Sequence, residues 1–150
     1  MAVLTREAAA ARGDELALAD DDDTRTWAQL DIRVNRLVHA LRDAGLGLGD
    51  TISVVAGNRN EWFEVALACS HAGVVFVPVS WHLVAPELAY IIEDSGSRAV
   101  LVGHRFTDVA AEALVDPRSS AVELAVAIGA PGDTRFADFE AFLGSGSDDE

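Results

Sequence analysis

Residues 50–79 carry the pattern that decides the fold, DTISVVAGNRNEWFEVALACSHAGVVFVPV. The first run, 50–56, is rich in β-branched residues and is typical of a buried strand. The segment 61–72 is apolar on nearly every side, which predicts a helix covered by protein on more than one face. A glycine ends that helix, and 74–79 predicts a second strand, with Pro78 near its end, where a missing amide costs least.

The same alternation of strands and helices continues on both sides of this stretch. Thr26 followed by Gln29 matches a capping box, and apolar residues then recur at helical spacing until Gly45, where a helix can stop. Further strands are predicted at 99–102 and 121–128. Asn58 with Glu61 is a possible start signal for the helix over 61–72, and further helices are predicted to begin at Pro86, Phe106 and Phe136. Such alternation is typical of a parallel sheet with helices on its faces, so we predict an α/β fold of Rossmann-like or flavodoxin-like type.

A small hairpin is predicted before this sheet. Residues 16–18 form one short strand, 20–23 the turn and 24–27 the return strand. The four consecutive aspartates of the turn could suggest a calcium loop. Such a loop alternates its ligands and needs a late bidentate glutamate, so a solvated turn is the preferred interpretation. We expect residues 1–143 to form one subdomain, and 144–150, which are glycine, serine and acidic residues, to be a flexible tail or linker.

The composition limits the function classes. The chain has 150 residues and a formal net charge of −14, with 25 acidic residues against 11 basic ones, all of which are arginine. Half of the residues are apolar, so the chain can bury a core. The acidity argues against a nucleic-acid partner, which needs a basic surface. The absence of lysine excludes Schiff-base and phosphate-loop lysine chemistry within these residues.

Redox and targeting features are few. Cys69 is the only cysteine, so no internal disulfide can form. The first residues lack the apolar segment of a signal peptide, and no apolar run approaches the roughly 20 residues of a membrane span. We therefore expect a cytoplasmic protein without a transmembrane segment.

Two motifs that could suggest ligand sites have simpler structural interpretations. Residues 45–49, Gly-Leu-Gly-Leu-Gly, follow a helix and precede a strand, whereas a dinucleotide-binding loop follows a strand and opens a helix. Cys69 and His71 lie two residues apart on a predicted helix, where they do not share a face, and no second pair completes a metal shell. We therefore expect a helix cap and buried packing.

Polar residues that follow strands are better candidates, because ligands of open parallel sheets bind beyond the carboxyl ends of the strands. His82, beside Trp81, follows one predicted strand. Asn58 and Arg59 follow the strand before it. For each of these side chains, a structural or solvated role remains the favoured interpretation.

Asp94, Ser95 and His104 could be imagined as a catalytic triad. Nothing in the pattern places the serine on the sharp strand-to-helix turn that such a nucleophile needs. We therefore assign no catalytic, cofactor-binding or metal-binding residue to this chain.

Several segments follow one another in a recognisable order: 26–31 (TWAQLD), 34–41 (VNRLVHAL), 49–54 (GDTISV) with Asn58 and Arg59, 72–83 (AGVVFVPVSWHL) and 87–95 (ELAYIIEDS). Together they cover about residues 15–103 and resemble the N-terminal portion of the AMP-forming acyl-CoA synthetases, in the adenylate-forming superfamily. The sequence of residues 80–83, Ser-Trp-His-Leu, is more similar to that of fatty-acyl and related carboxylate–CoA ligases than to that of amino-acid adenylation domains. Ser80 departs from the family, which usually has asparagine there.

The resemblance implies a two-step reaction in the full-length enzyme. ATP and a carboxylate give an acyl-adenylate and pyrophosphate, and coenzyme A then displaces AMP to form a thioester. ATP, Mg²⁺ and coenzyme A are thus implied for the complete protein, but the family's phosphate-binding loop and lysines have no counterpart in this chain. We expect an N-terminal part of a fatty-acid–CoA ligase that is inactive alone and holds none of these cofactors. Its expected partner is the remainder of the ligase chain, or a second copy bound through exposed apolar surface.

Two other functions stay open at this point. A truncated homologue could act as a structural or protein-interaction module, because a domain separated from its neighbour exposes apolar surface. A small flavodoxin-like nucleotide binder should carry its phosphate-binding loop after the first strand. Residues 57–60, Gly-Asn-Arg-Asn, match such a loop poorly.

Overall fold

An antiparallel hairpin between two helices forms the N-terminal part of the computed structural model, which describes residues 2–130 and 132–147. The elements are α1 (Ala2–Arg12), β1 (Leu16–Ala19), β2 (Thr24–Thr26) and α2 (Trp27–Asp43). The hairpin is confirmed, and so is the capping box: the Gln29 N–H donates to the Thr26 hydroxyl at 3.3 Å, and the Gln29 Oε1 accepts from the Thr26 N–H at 2.9 Å. The sequence pattern does not predict α1, because its alanine-rich segment has no clear apolar stripe.

A five-stranded parallel sheet lies at the centre of the fold. Its strand order is β4-β3-β5-β6-β7, which is the flavodoxin-like arrangement with the first strand between the second and the third. The predicted α/β fold with a parallel sheet is therefore confirmed. The strands are β3 (Thr51–Val55), β4 (Val75–Val79), β5 (Ser97–Gly103), β6 (Leu124–Ile128) and β7 (Ala137–Asp138).

Helices cover both faces of the sheet. One face packs against α2, α3 (Asn60–Ala72) and α6 (Phe139–Gly144), and the other against α4 (Ala85–Ser95) and α5 (Thr107–Leu114). Along β3, Val54 enters the first core and Val55 the second, because successive side chains of a strand point to opposite faces. Burial on both faces explains why the strands are nearly continuous apolar runs.

Local hydrogen bonds move some boundaries away from the predicted ones. Strand β6 begins at Leu124 rather than at 121, because the preceding residues close a turn in which the Val122 N–H donates to the Ser119 carbonyl at 3.0 Å. Strand β5 is longer than predicted and spans 97–103.

The predicted start of the last helix at Phe136 is also wrong. Asp138 caps α6 by accepting from the Ala141 N–H at 2.9 Å, so the helix begins at Phe139. The residues before it extend along β6 as the short strand β7. A single capping aspartate thus separates strand from helix within a segment whose apolar spacing alone suggested one helix.

The backbone after α6 passes very close to α2. The Gly146 N–H donates to the Leu143 carbonyl at 3.2 Å. A Cβ atom at position 146 would lie only 2.0 Å from the Arg36 carbonyl oxygen of α2, so only glycine fits here. The flexibility of 144–150 remains a prediction, and its last residues, 148–150, lie outside the described part of the chain.

Replacing Gly146 by alanine should therefore lower the free energy of unfolding by about 1–3 kcal/mol, the usual cost of forcing extra atoms into a packed contact. Gly144→Ala is the matched control, because a Cβ at 144 meets no atom within 4 Å and alanine is favoured over glycine in a helix. Urea unfolding of both variants measures the difference. Equal stability of the two variants would contradict this close approach.

Candidate functional site

The loops that follow β3 and β5 meet at the carboxyl edge of the sheet. Because β3 continues toward α3 on one face and β5 toward α5 on the other, these neighbouring loops diverge and leave a crevice. The cavity has a volume of about 170 Å³ and is lined by residues 57–59, 103–106 and 20–22. Ligands of open parallel sheets bind at this position, which makes the crevice the candidate functional site.

The acidic turn of the hairpin, residues 20–23, caps helix α3 at this crevice. The helix begins at Asn60 rather than at Asn58, and the side chain of its N-cap residue, Arg59, makes no capping bond. Asp20 supplies the acceptor instead: its Oδ2 accepts from the Asn60 N–H at 2.8 Å, and its Oδ1 accepts from two N–H groups of the turn at 2.9 and 2.8 Å. The bond from Asn60 is the main reason that the pKa of Asp20 lies below its usual value.

The side chains around this contact are engaged with one another. The Asn60 amide, in a residue only 2 % exposed, donates through Nδ2 to the Asp23 carbonyl at 3.0 Å. Arg59 pairs with Glu61 at 2.6 Å, and this hydrogen bond raises the pKa of Arg59. Among the residues that the structure describes, no three His, Cys, Asp or Glu side chains are arranged to hold a metal ion. The acidic turn is therefore a helix cap as well as the solvated turn that the sequence predicts.

An aromatic stack lies at the edge of the same crevice. The Trp81 ring stacks on His82 with centroids 3.5 Å apart and on Phe106 with centroids 5.8 Å apart. Trp81 follows β4 and Phe106 follows β5, so the stack spans the carboxyl end of β3, which lies between them. The structure thus brings the predicted candidate His82 to the carboxyl edge, where the ring is exposed to solvent.

The imagined triad is not assembled. Ser95 hydrogen-bonds through Oγ to the Ser97 hydroxyl at 2.7 Å, at the start of β5. His104 follows the other end of that strand, roughly 20 Å away at the usual rise per residue. These residues therefore cannot act together as a catalytic triad.

The two remaining motifs have structural roles. Gly45, with φ of 79°, follows α2, and the Gly49 N–H donates to the Gly73 carbonyl at 2.9 Å. Cys69 is fully buried, and burial raises the pKa of its thiol to about 12. The helix cap and the buried packing expected from the sequence agree with these positions.

A buried carboxylate that the sequence pattern does not reveal lies on the other side of the hairpin. Glu64 of α3 is 0 % exposed. Arg33 of α2 donates to its two oxygens at 2.7 and 2.9 Å, and Arg25 of β2 donates at 3.1 Å. Arg33 also pairs with Glu140 of α6 at 2.7 and 2.9 Å. This ion network therefore connects the hairpin with three helices.

Each arginine of this network is paired with carboxylates. Burial disfavours the charged guanidinium of Arg33, but the hydrogen bonds that it donates to Glu140 and Glu64 outweigh burial and raise its pKa. The same contact lowers the pKa of Glu140. Arg25 also forms an ion pair with Asp23 of the acidic turn. Because each of these arginines already holds carboxylates, we assign the network a structural role.

Comparison with known proteins now identifies the family. A model of the AMP-binding enzyme family matches residues 5–143, which include the hairpin, the whole sheet and most of α6. The chain belongs to the AMP-binding enzyme family. The resemblance found in the sequence is thereby confirmed, and the matched region contains both the crevice and the ion network.

Named relatives of this chain include ligases. It is 36% identical over 101 residues to the fatty acid–[acyl-carrier-protein] ligase ScoC of Streptomyces coeruleorubidus, covering 67% of this chain and 20% of that protein. It is 33% identical over 135 residues to a medium/long-chain-fatty-acid–CoA/3-oxocholest-4-en-26-oate–CoA ligase of Mycobacterium marinum, covering 90% of this chain and 24% of the relative. The chain thus spans only about a quarter or less of their length.

Solved structures of this family share the fold. An anthranilate CoA ligase, AuaEII, in complex with anthranoyl-AMP superposes with a TM-score of 0.91 over 99% of this chain and 28% of its own, at 19% identity, which shows the fold alone. A fatty acyl CoA synthetase of Mycobacterium tuberculosis gives a TM-score of 0.84 at 26% identity, over 99% of this chain and 29% of its own. Within the described residues, no helix combines the length and apolar character needed to cross a membrane.

The ion network gives a direct prediction for the stability of this chain. Glu64→Gln leaves two largely buried arginines without their shared counter-ion and should cost about 3–5 kcal/mol of unfolding free energy. Glu140→Gln is the matched control, because its side chain is 59% exposed and an exposed pair contributes about 0.2–1 kcal/mol. Guanidinium unfolding compares the two variants with the parent chain. Similar losses in both would show that Glu64 is not the centre of the network.

Proposed function

We propose that this chain is the N-terminal part of an AMP-forming ligase that activates a fatty or related carboxylic acid with ATP and transfers the acyl group to coenzyme A. The family match over residues 5–143 carries the proposal. Relatives are named as ligases of fatty acids and of 3-oxocholest-4-en-26-oate, and as a feruloyl-CoA synthase. Coenzyme A is the proposed acceptor because it occurs in most of these names, whereas one names acyl carrier protein.

The residues of the crevice do not fit a magnesium nucleotide. The N-terminus of α3, which would attract a phosphate, already donates its Asn60 N–H to the Asp20 carboxylate. The other aspartates that line the crevice, Asp21 and Asp22, add negative charge that repels a polyphosphate. Arg59, which also lines the crevice, is already paired with Glu61. We therefore propose that ATP, Mg²⁺ and coenzyme A are held outside these residues, and that this chain supplies the framework and is inactive alone.

The alternative, a truncated homologue that binds another protein, is favoured by the open edge of the sheet. Val75 of β4 and Phe63 of α3 are 48% and 47% exposed. The Val75 N–H donates toward β3, to the Asp50 carbonyl at 2.7 Å, so the backbone of Phe76 and Pro78 faces outward. Because proline has no N–H, this edge disfavours pairing with another strand and leaves side-chain contacts for a protein partner.

An assay of ATP–pyrophosphate exchange distinguishes the part of a ligase from the protein-interaction module. We expect the purified chain, folded by circular dichroism, to give no exchange above a control without protein when fatty acids are supplied. A chimera in which this chain replaces the matching segment of the Mycobacterium marinum ligase should catalyse the exchange, because it restores the groups that the chain lacks. Exchange by the chain alone, abolished by substitutions within it, would overturn the proposed inactivity. A folded but inactive chimera would favour the interaction module.

A further inference from the structure

The crevice lies where ligands bind in other sheets of this kind. The group in it that would bind an anion best, the N-terminus of α3, already binds a carboxylate of the same chain. The first N–H groups of a helix have no partner within the helix and attract negative charge. At α3 the N–H of Asn60 is taken by the carboxylate of Asp20, which lies forty residues earlier in the chain. The flavodoxin-like strand order places this helix start at the point where other sheets of this topology bind a phosphate-bearing ligand.

We propose that the acidic turn, residues 20–23, is an intramolecular clasp that occupies the start of α3 in the crevice, with the Asp20 carboxylate in the place of an anionic ligand. The clasp excludes phosphate and nucleotides from this end of the sheet. This inference concerns the chain's own contacts and does not depend on the proposed ligase activity.

The clasp is fastened at both ends of the acidic turn. At Asp20, one carboxylate oxygen binds α3 while the other binds N–H groups of the turn and keeps it folded. At Asp23, the carbonyl accepts from the buried Asn60 side chain, and the carboxylate pairs with Arg25. Arg25 in turn donates to the buried Glu64, so the turn is tied to the core as well as to the helix start.

Removal of Asp20 should leave an anion site behind. Arg59 and Arg105 line the same crevice as Asp21 and Asp22, so a small anion that replaces the carboxylate restores the charge balance of the parent chain and meets the free N–H of Asn60. The attraction of an anion should therefore depend on the absence of the Asp20 side chain, and not on the overall charge of the protein.

Chemical rescue by small anions tests the clasp. The variant is Asp20→Ala, and Asp21→Ala is the matched control, because Asp21 lies in the same turn and lines the same crevice. The thermal midpoint of each chain is measured by circular dichroism in chloride, in formate and in inorganic phosphate, at one ionic strength and pH. We expect Asp20→Ala to melt about 2–4 °C below the parent in chloride, as for a lost helix cap. Formate or phosphate should restore at least half of that loss.

The parent and Asp21→Ala should show no such anion dependence. An equal anion response in the parent would show that the crevice is open, and no specific response in Asp20→Ala would show that the carboxylate does not occupy an anion site. Should Asp20→Ala fold only in formate or phosphate, the clasp is supported. Should it fold in no buffer, Asp20→Gly replaces it, because glycine leaves no side-chain acceptor, with the hydrogen exchange of the Asn60 N–H as readout. Faster exchange than in the parent supports the clasp, and unchanged exchange overturns it.

Discussion

The burial of one carboxylate is the constraint on which the N-terminal half of this structure depends. A carboxylate removed from water is tolerated only when cations and hydrogen bonds satisfy it. Glu64 lies in a helix that packs against the sheet, so its cations must come from elements that cover that helix. Arg25 and Arg33 meet this need from β2 and α2, and Arg33 extends the network to α6. The hairpin and these helices are thereby fixed in one arrangement.

Local patterns were sufficient to predict the parallel sheet and most of its helices. Runs of β-branched residues predict β3, which is buried on both faces, and the edge strand β4, and Thr26 with Gln29 predicts the start of α2. Contacts between distant residues could not be predicted in this way. The helical pattern around Glu64 gives no sign that its partners lie 31 and 39 residues earlier, and the cap of α3 likewise comes from Asp20, 40 residues away.

At the candidate site, too, local patterns could be predicted from the sequence and contacts between distant residues could not. The rule that ligands bind beyond parallel strands correctly brings Asn58, Arg59 and His82 to one edge of the sheet. It does not reveal that an acidic turn from outside the sheet occupies that edge. The segments that resemble the ligase family lie largely in α2, α4, β3 and β4. Their side chains specify packing and helix ends, which is why the family can be recognised from them.

The central claim is that this chain provides the framework of an AMP-binding enzyme and does not itself hold the nucleotide. Titration of the isotope-labelled chain with magnesium ATP, followed by amide NMR shifts, tests the claim most directly. We predict no saturable shift at millimolar nucleotide, because the Asp20 carboxylate occupies the start of α3 and Asp21 and Asp22 add negative charge to the crevice. Saturable shifts confined to residues 57–60 and 103–106 would contradict the claim and make the crevice a nucleotide site.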